Sequence, residues 1–254
     1  MLNHIMWLAL VSEVIEFSGF QWKAFENFDS ISGNYFTSEG IRRDGDALLI
    51  SCKTTKNDTG FVLYSSGIVS NRTFLYGIFT FEVEGDVEDL VYACFAPFLY
   101  DFSGGHFEVD IEYCRWGKPS NPPGNFGIIR LFGKWYKPDS VLKVNERFNF
   151  RLQRREKVTK HIICWSPDSV VFESFAVARN RKKSERLLHR WKVTDKKFIP
   201  NVPLNAEIYL WWHSNPNCTL KHDFRIISFE YKSLDASFYK NLLPGSPQVP
   251  KEGK

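Results

Sequence analysis

The chain has 254 residues, 43% of them apolar and 16% aromatic, which is enough for one large domain with a packed core and unlike a disordered chain. Its 23 Phe, 10 Tyr and 8 Trp against two Met suit strands better than helices. A formal net charge of +4 is too small to imply a nucleic-acid partner by itself, and no stretch approaches the roughly 20 apolar residues of a membrane span.

Along the chain, "MLNHIMWLALVS" carries a short apolar run from Ile5 to Val11 with no basic residue before it. Residues 1–13 therefore read as a short leader or eroded signal segment, or as a first strand. From residue 14 onward hydrophobic alternation recurs at short intervals. "EVIEFSGFQW", "ALLISCK", "GFVLYSSGIVS", "YGIFTFEVEG", "LVYACFAPFLY" and "HFEVDIEYC" read as strands. So do "NFGIIRLF", "RFNFRLQRR", "KHIICWSP", "SVVFESFAV", "AEIYLWWH" and "FRIISFEYK". Between them "RRDGD", "NDTG", "FSGG", "KPSNPPGN", "WSPDS" and "NPNC" supply turn chemistry. "KKSERLLHRW" fits one helical turn. Residues 235–254 are expected to form a short C-terminal helix followed by a Pro/Gly-rich disordered tail. A dozen strands over residues 14–234, with no interleaved helices, predict an all-β fold: a jelly-roll sandwich of two curved antiparallel sheets.

Cys52, Cys94, Cys114, Cys164 and Cys218 are widely spaced, with no CxxC and no clustered histidines. That argues against a structural zinc site and predicts buried free thiols, and no metal or cofactor is expected. A phosphate-binding Gly loop, a G-x-S-x-G elbow and an H-E-x-x-H pair are all missing, which removes most nucleotide, serine-hydrolase and zinc-protease readings.

The chemistry concentrates in "HFEVDIEYCRWG", residues 106–117. Period-2 geometry puts Phe107, Val109, Ile111 and Tyr113 on one face and Glu108, Asp110 and Glu112 on the other. A half-buried strand showing polar residues to water is the ordinary explanation. Three acids on one face, without a Lys or Arg beside them in the strand, repel one another and should raise at least one pKa. Aromatic residues rather than soluble ones flank them. Glycoside hydrolysis needs two carboxyls whose pKa values are driven apart. Glu108 and Glu112 lie about 13 Å apart along a flat strand, so they converge only if the side chains lean together on a concave sheet, with Asp110 between them to tune one partner.

"EVDIEYCRWGKPSN" resembles the active-site strand of glycoside hydrolase family 16, and more narrowly a bacterial and archaeal branch reading E-I-D-I-E-x-x-R-W-G-x-P-x-N. Those positions are Glu108, Asp110, Glu112, Arg115, Trp116, Gly117, Pro119 and Asn121 here. "FSGFQW", "SNRTFLYGIFTFEVEG", "AEIYLWWH" and "RIISFEY" extend the resemblance over about residues 14–232. It implies a jelly roll with a concave substrate groove, cleaving internal β-linkages of a polysaccharide with retention, in particular a β-glucan (1,3 or 1,3-1,4). By position, Glu108 would be the nucleophile, Glu112 the general acid/base, and Asp110 the residue that holds the nucleophile. Two departures stand out. Tyr209 occupies a position where relatives often carry Asn, and "NFGIIRLF" shows no obvious polar residue for the sugar.

Sugar rings stack on flat aromatic faces with polar groups beside them. Tyr209, Trp211 and His213 share one parity, and Trp116 lies at a rim, so these four are candidate substrate contacts together with Arg115 and His106. Between Arg147 and Lys197 there are 15 Lys/Arg against 5 Asp/Glu, which reads as a solvated loop and strand face because no nucleic-acid motif accompanies it. A polysaccharide is the expected partner, with no nucleic acid or membrane, in an extracellular or secreted monomer. A non-catalytic, lectin-like jelly roll and a transglycosylase using the same site are the rival readings.

Overall fold

The computed structural model describes residues 14–101, 107–131, 141–154, 156–179 and 183–234. The expected leader, C-terminal helix and tail, and His106, lie outside them. Among the described residues no helix is long and apolar enough to cross a membrane.

Eight strands form the first sheet: β1 (Val14–Phe17), β2 (Phe20–Ala24), β7 (Gly60–Phe74), β9 (Ala93–Tyr100), β10 (Phe107–Tyr113), β11 (Gly124–Leu131), β12 (Val141–Phe148) and β16 (Leu204–Trp212). Their spatial order is β12-β11-β10-β9-β16-β7-β2-β1. The second sheet contains β3 (Asn27–Asp29), β4 (Asn34–Phe36), β5 (Ile41–Asp44), β6 (Ala47–Asn57) and β8 (Gly77–Glu84). It is completed by β13 (Val158–Ser166), β14 (Ser169–Arg179), β15 (Lys183–Val193) and β17 (Lys221–Lys232). It runs β15-β14-β13-β8-β17-β6. The long β7 belongs to both sheets, pairing with β6 and β4 through its first residues and with β16 and β2 through the rest. Every pairing is antiparallel except β4 with β7. This is the expected jelly-roll sandwich.

Alternation explains the layering. In β8, Phe79, Phe81 and Val83 are fully buried while the residues between them are only partly so. In β10, Val109, Ile111 and Tyr113 enter the same core, opposite Ile163, Trp165 and Phe172 of the second sheet. Each such side chain contributes about 1.5–3 kcal/mol by leaving water, so a one-residue slip of β10, which would expose them all, is strongly disfavoured.

Two secondary-structure readings are corrected. "KKSERLLHRW" is not helical: it is β15, paired with β14 along its length. The register shifts opposite Ser174/Phe175, leaving Leu188 as an extra residue. Such a bulge changes the strand's facing, so Leu188 and Trp191 both pack on the core at a spacing that imitates a helix. "RFNFRLQRR" is a strand only in its first two residues, Arg147 and Phe148. β12 ends at Phe148, which pairs with Gly124, and Phe150 beyond the ladder joins Phe148 in the core.

One polar cluster sits in the core behind β10. The fully buried Tyr113 hydroxyl donates to Ser174 Oγ at 2.7 Å and lies 3.1 Å from His161 Nδ1, whose Nε2 is 2.9 Å from Thr159 Oγ1. These groups satisfy one another, which is what makes a buried polar cluster tolerable. Tyr113→Phe, which removes the phenol and leaves His161 Nδ1 and Ser174 Oγ to each other at 3.1 Å, should lower stability by about 0.5–1.5 kcal/mol. The change should appear as a lower urea midpoint at unchanged m, and an unmoved midpoint would mean that the cluster adds no net stability.

Candidate active site

The acids occupy consecutive outward positions of β10, and the β10–β11 register is continuous from Phe107↔Arg130 to Tyr113↔Gly124. No bulge scatters them. Asp110 is 2% exposed, and Glu108 and Glu112 are half-buried. On the other side β9 places Tyr100 opposite Glu108 and Phe98 opposite Asp110. The ladder then skips Pro97, which has no N–H to give, and resumes in the same register at Tyr113↔Phe95.

Neighbouring strands supply the surroundings. Asn125 of β11 donates from Nδ2 to Glu112 Oε2 at 2.8 Å and accepts from Asn145 of β12 at 3.3 Å. Gly127 lies opposite Asp110, where a Cβ would come within 3.1 Å of Asp110 Oδ2, so a side chain there would press on the carboxyl. Lys143 and Arg147 of β12 contribute positive potential.

Burial is the largest influence on all three acids, and it opposes ionisation. It raises Glu108, and a hydrogen bond with Asp110 and the Lys143 charge pull partly back. Asp110 is driven well above the carboxylate range by burial and then by the charges of Glu108 and Glu112. Glu112 is pushed up to about 7, by burial first and by Glu108 next. The three carboxyls are thus shifted unequally: Asp110 well above the ordinary range, Glu112 to about 7, and Glu108 upward but drawn partly back by Asp110 and Lys143. Asp110 Oδ1 is buried without a hydrogen-bond partner.

The candidate aromatics gather here. Cys94, Ala96, Phe98 and Cys114 form a small cluster on this face, against which Tyr100, Trp116, Tyr209 and Trp211 pack. Trp116 sits in the turn after β10 with φ of 53°. His213 meets it edge-on at 4.9 Å, and the Arg147 guanidinium lies 5.6 Å over its ring. His213 is exposed, 6.1 Å from Trp211. Tyr209 is a wall rather than a free platform. Its ring crosses Gly67, where a Cβ would approach to 2.4 Å, and it stacks on Phe25 at 5.1 Å with Phe98 edge-on at 5.0 Å. Arg115, a candidate substrate contact, is engaged in holding the neighbouring loops. Its guanidinium donates to the carbonyls of Glu88, Pro119 and Asn121.

Sequence reasoning missed Asn125, Lys143, Arg147 and Glu207. Glu207 of β16 is 1% exposed, hydrogen-bonded with Tyr209, and raised well above its ordinary value by burial. The Glu108 charge adds to that rise, and Glu207 Oε1 has no partner. It shares parity with Tyr209 and Trp211, so alternation could have found it. Lys143 and Arg147 gave no such signal, because nothing local ties β12 to β10.

No family model matches the sequence, and no curated protein matches it. Solved structures do match in fold. A Bacillus licheniformis β-glucanase aligns at 14% identity and TM-score 0.59 over 84% of this chain and 92% of that one. The Thermotoga maritima laminarinase catalytic domain gives 12% and 0.57 over 84% and 92%. A Bacteroides ovatus mixed-linkage-glucan GH16 protein, solved with a G4G4G3G product, gives 10% and 0.59 over 83% and 94%. The chain thus has the fold seen in family 16 β-glucanases.

Glu112 also makes stability depend on pH. Its carboxyl titrates near 4.5 when unfolded and about 7 when folded, so the folded state holds the extra proton between those values. Stability should therefore fall as pH rises through that window. Urea midpoints from pH 4 to 8 should decline less steeply in Glu112→Gln than in wild type, and equal slopes would refute the raised pKa.

Proposed function

We propose that this protein is an endo-acting, retaining glycoside hydrolase that cleaves internal β-linkages of a neutral glucan, 1,3 or 1,3-1,4. The supporting observation is the row of Glu108, Asp110 and Glu112 on one face of β10, whose carboxyls are shifted unequally, Glu112 to about 7 and Asp110 well above the ordinary range. The fold shared with β-glucanases gives the row its context. The carboxylates of Glu108 and Glu112 would repel an anionic polymer.

In the proposed reaction the Glu108 carboxylate attacks the anomeric carbon while Glu112 gives its proton to the departing glycosidic oxygen. The glycosyl–Glu108 ester is then opened by water, whose proton returns to Glu112. Neutral Asp110 donates a hydrogen bond to Glu108, keeping its charge available and its oxygen aimed. Asn125 fixes the Glu112 carboxyl through Oε2, leaving the other oxygen to face the substrate. Trp116 and Trp211 are the candidate platforms for flanking sugars.

A panel of β-glucans, xyloglucan, agarose and carrageenan with reducing-end detection is the first test, and release from the neutral β-glucans is the expected result. Glu112→Gln should lower turnover by about 10²–10⁴, less for substrates with good leaving groups, and Glu108→Gln by orders of magnitude, with the fold intact. The rate should fall above about pH 7 as Glu112 loses its proton. It should also fall on the acid side at a pH above the ordinary 4.5, because burial raises Glu108. An active double variant would end the proposal.

Trp116→Ala should weaken oligosaccharide binding by about 1.5–3 kcal/mol and leave the melting temperature nearly unchanged. A large drop in melting temperature would show that Trp116 is packing instead. A lectin-like protein would lose affinity with Trp116, keep it in Glu108→Gln, and release no reducing ends.

A further inference from the structure

Cys94 and Cys114 are both free and both buried, on β9 and at the end of β10. They pack together in the small cluster on the acid face. The register makes them direct neighbours. Glu108 faces Tyr100, Asp110 faces Phe98 and Tyr113 faces Phe95, and one more step along the same ladder sets Cys114 opposite Cys94.

Hydrogen bonding tells what kind of pair this is. Asp101 N–H donates to Phe107 O at 3.0 Å, so the odd-numbered residues of β10 face β9 as hydrogen-bonded pairs. The even-numbered ones face it as non-hydrogen-bonded pairs. Cys114 obeys that parity, since its own N–H turns the other way, to Pro123 O at 2.9 Å. In a non-hydrogen-bonded antiparallel pair the Cα atoms stand about 4.5 Å apart with side chains on the same face. That lies inside the roughly 4.4–6.8 Å a disulfide requires. The two thiols are already within hydrogen-bonding reach of each other, and Cys114 Sγ accepts from the Trp116 N–H at 3.1 Å.

We propose that Cys94 and Cys114 are the site of a cross-strand disulfide that ties β9 to β10 one residue pair beyond Glu112. Formation removes two electrons and two protons from the thiols. A disulfide oxidant of the glutathione class takes them, first as a mixed disulfide with one cysteine, and leaves as two thiols after the second cysteine attacks. Neither sulfur is reachable in the folded protein, so the bond closes during folding or on opening of the β9–β10 hairpin. Once closed it is shielded from reductant by the same burial. The bond holds β10 where the strand gives way to the Trp116–Gly117 turn, whose residues both have positive φ. The other three cysteines lack such a partner. Cys52 lies in the main core, away from this cluster, Cys164 is half-buried and Cys218 is exposed.

The full chain is expressed into an oxidising host compartment, checked for its β-rich circular dichroism, and denatured in iodoacetamide without reductant. Chymotrypsin separates the two cysteines by cutting at Tyr92, Phe95, Tyr113 and Trp116. The expected product is a linked Cys94–Cys114 peptide pair that dithiothreitol resolves, with two of the five thiols protected from alkylation. The oxidised protein should melt several degrees above the reduced one, and that difference should vanish in Cys94→Ala while persisting in Cys218→Ala. Folded protein in which Cys94 and Cys114 are both fully alkylated, or are joined to other cysteines, overturns the proposal. The peptide map of the wild-type chain decides this whether or not the variants fold and whether or not any glycan is cleaved.

Discussion

Three carboxyls on one buried face cannot all be ionised, and the rest of the site is arranged around that restriction. Taking a carboxylate out of water is expensive unless it is paired or neutralised. Among the described residues no cation touches Asp110, and burial with the charges of Glu108 and Glu112 favours its neutral form. Its proton becomes useful because Glu108, two residues away, can accept it as a hydrogen bond. Glu112 is eased differently, by the Asn125 amide and the more distant charges of Lys143 and Arg147. One strand therefore carries three carboxyls that are raised to different extents by burial and by different neighbours. The same restriction bears on Gly127: a side chain at the strand position facing Asp110 would crowd its carboxyl, with a Cβ 3.1 Å from Oδ2.

What was legible in the sequence follows from how far each signal reaches along the chain. The β10 pattern is local, since alternating acids and aliphatics over seven residues define both faces. The inward burial of Val109 and Ile111 and the outward row of acids followed directly. The aromatic ends of β10 and β16 were legible for the same reason. Lys143, Arg147 and Asn125 were not, because their relevance comes from which strands lie side by side. The order β12-β11-β10-β9-β16 is a long-range outcome that period-2 reasoning does not reach. Asn125 was visible as a letter and missed as a partner: it heads a strand judged apolar from its remaining residues. β15 failed for a third reason, a bulge that changed the spacing from which its secondary structure was read.

The basic stretch from Arg147 to Lys197 also takes on a different meaning in three dimensions. Arg186 is paired with the buried Glu156, Arg190 with Glu173, and Lys160 with Glu185. Much of the positive charge lies on β15, at the outer edge of the second sheet. Edge strands left flat and apolar invite pairing with other chains, and charged side chains are a common defence. Leu187, nearly half exposed there, is flanked by Arg186 in sequence. The local excess of cations is thus in part an internal counterbalance to acids on β14, on β15 and in the loop before β13.

Front and back of β10 divide the titration between them. On the front, Glu112 changes charge near neutrality. Directly behind, Tyr113 is bound to Ser174 and His161, and burial depresses His161 to about 3 while it raises the Tyr113 phenol. Across the range in which Glu112 gains and loses its proton, the cluster behind it keeps one charge state and one set of hydrogen bonds. An ionisable group in the core would otherwise move with pH just where the strand must not. Glu112 hangs from the residue before Tyr113, so the depth of its carboxyl is set by an anchor that does not respond to the variable the carboxyl itself senses. A core of hydrocarbon alone would also be insensitive to pH, yet it would permit β10 to rock about its contacts. The directional bonds of Tyr113 to two strands of the opposite sheet remove that freedom, which gives a physical reason for placing polar groups in so apolar a layer.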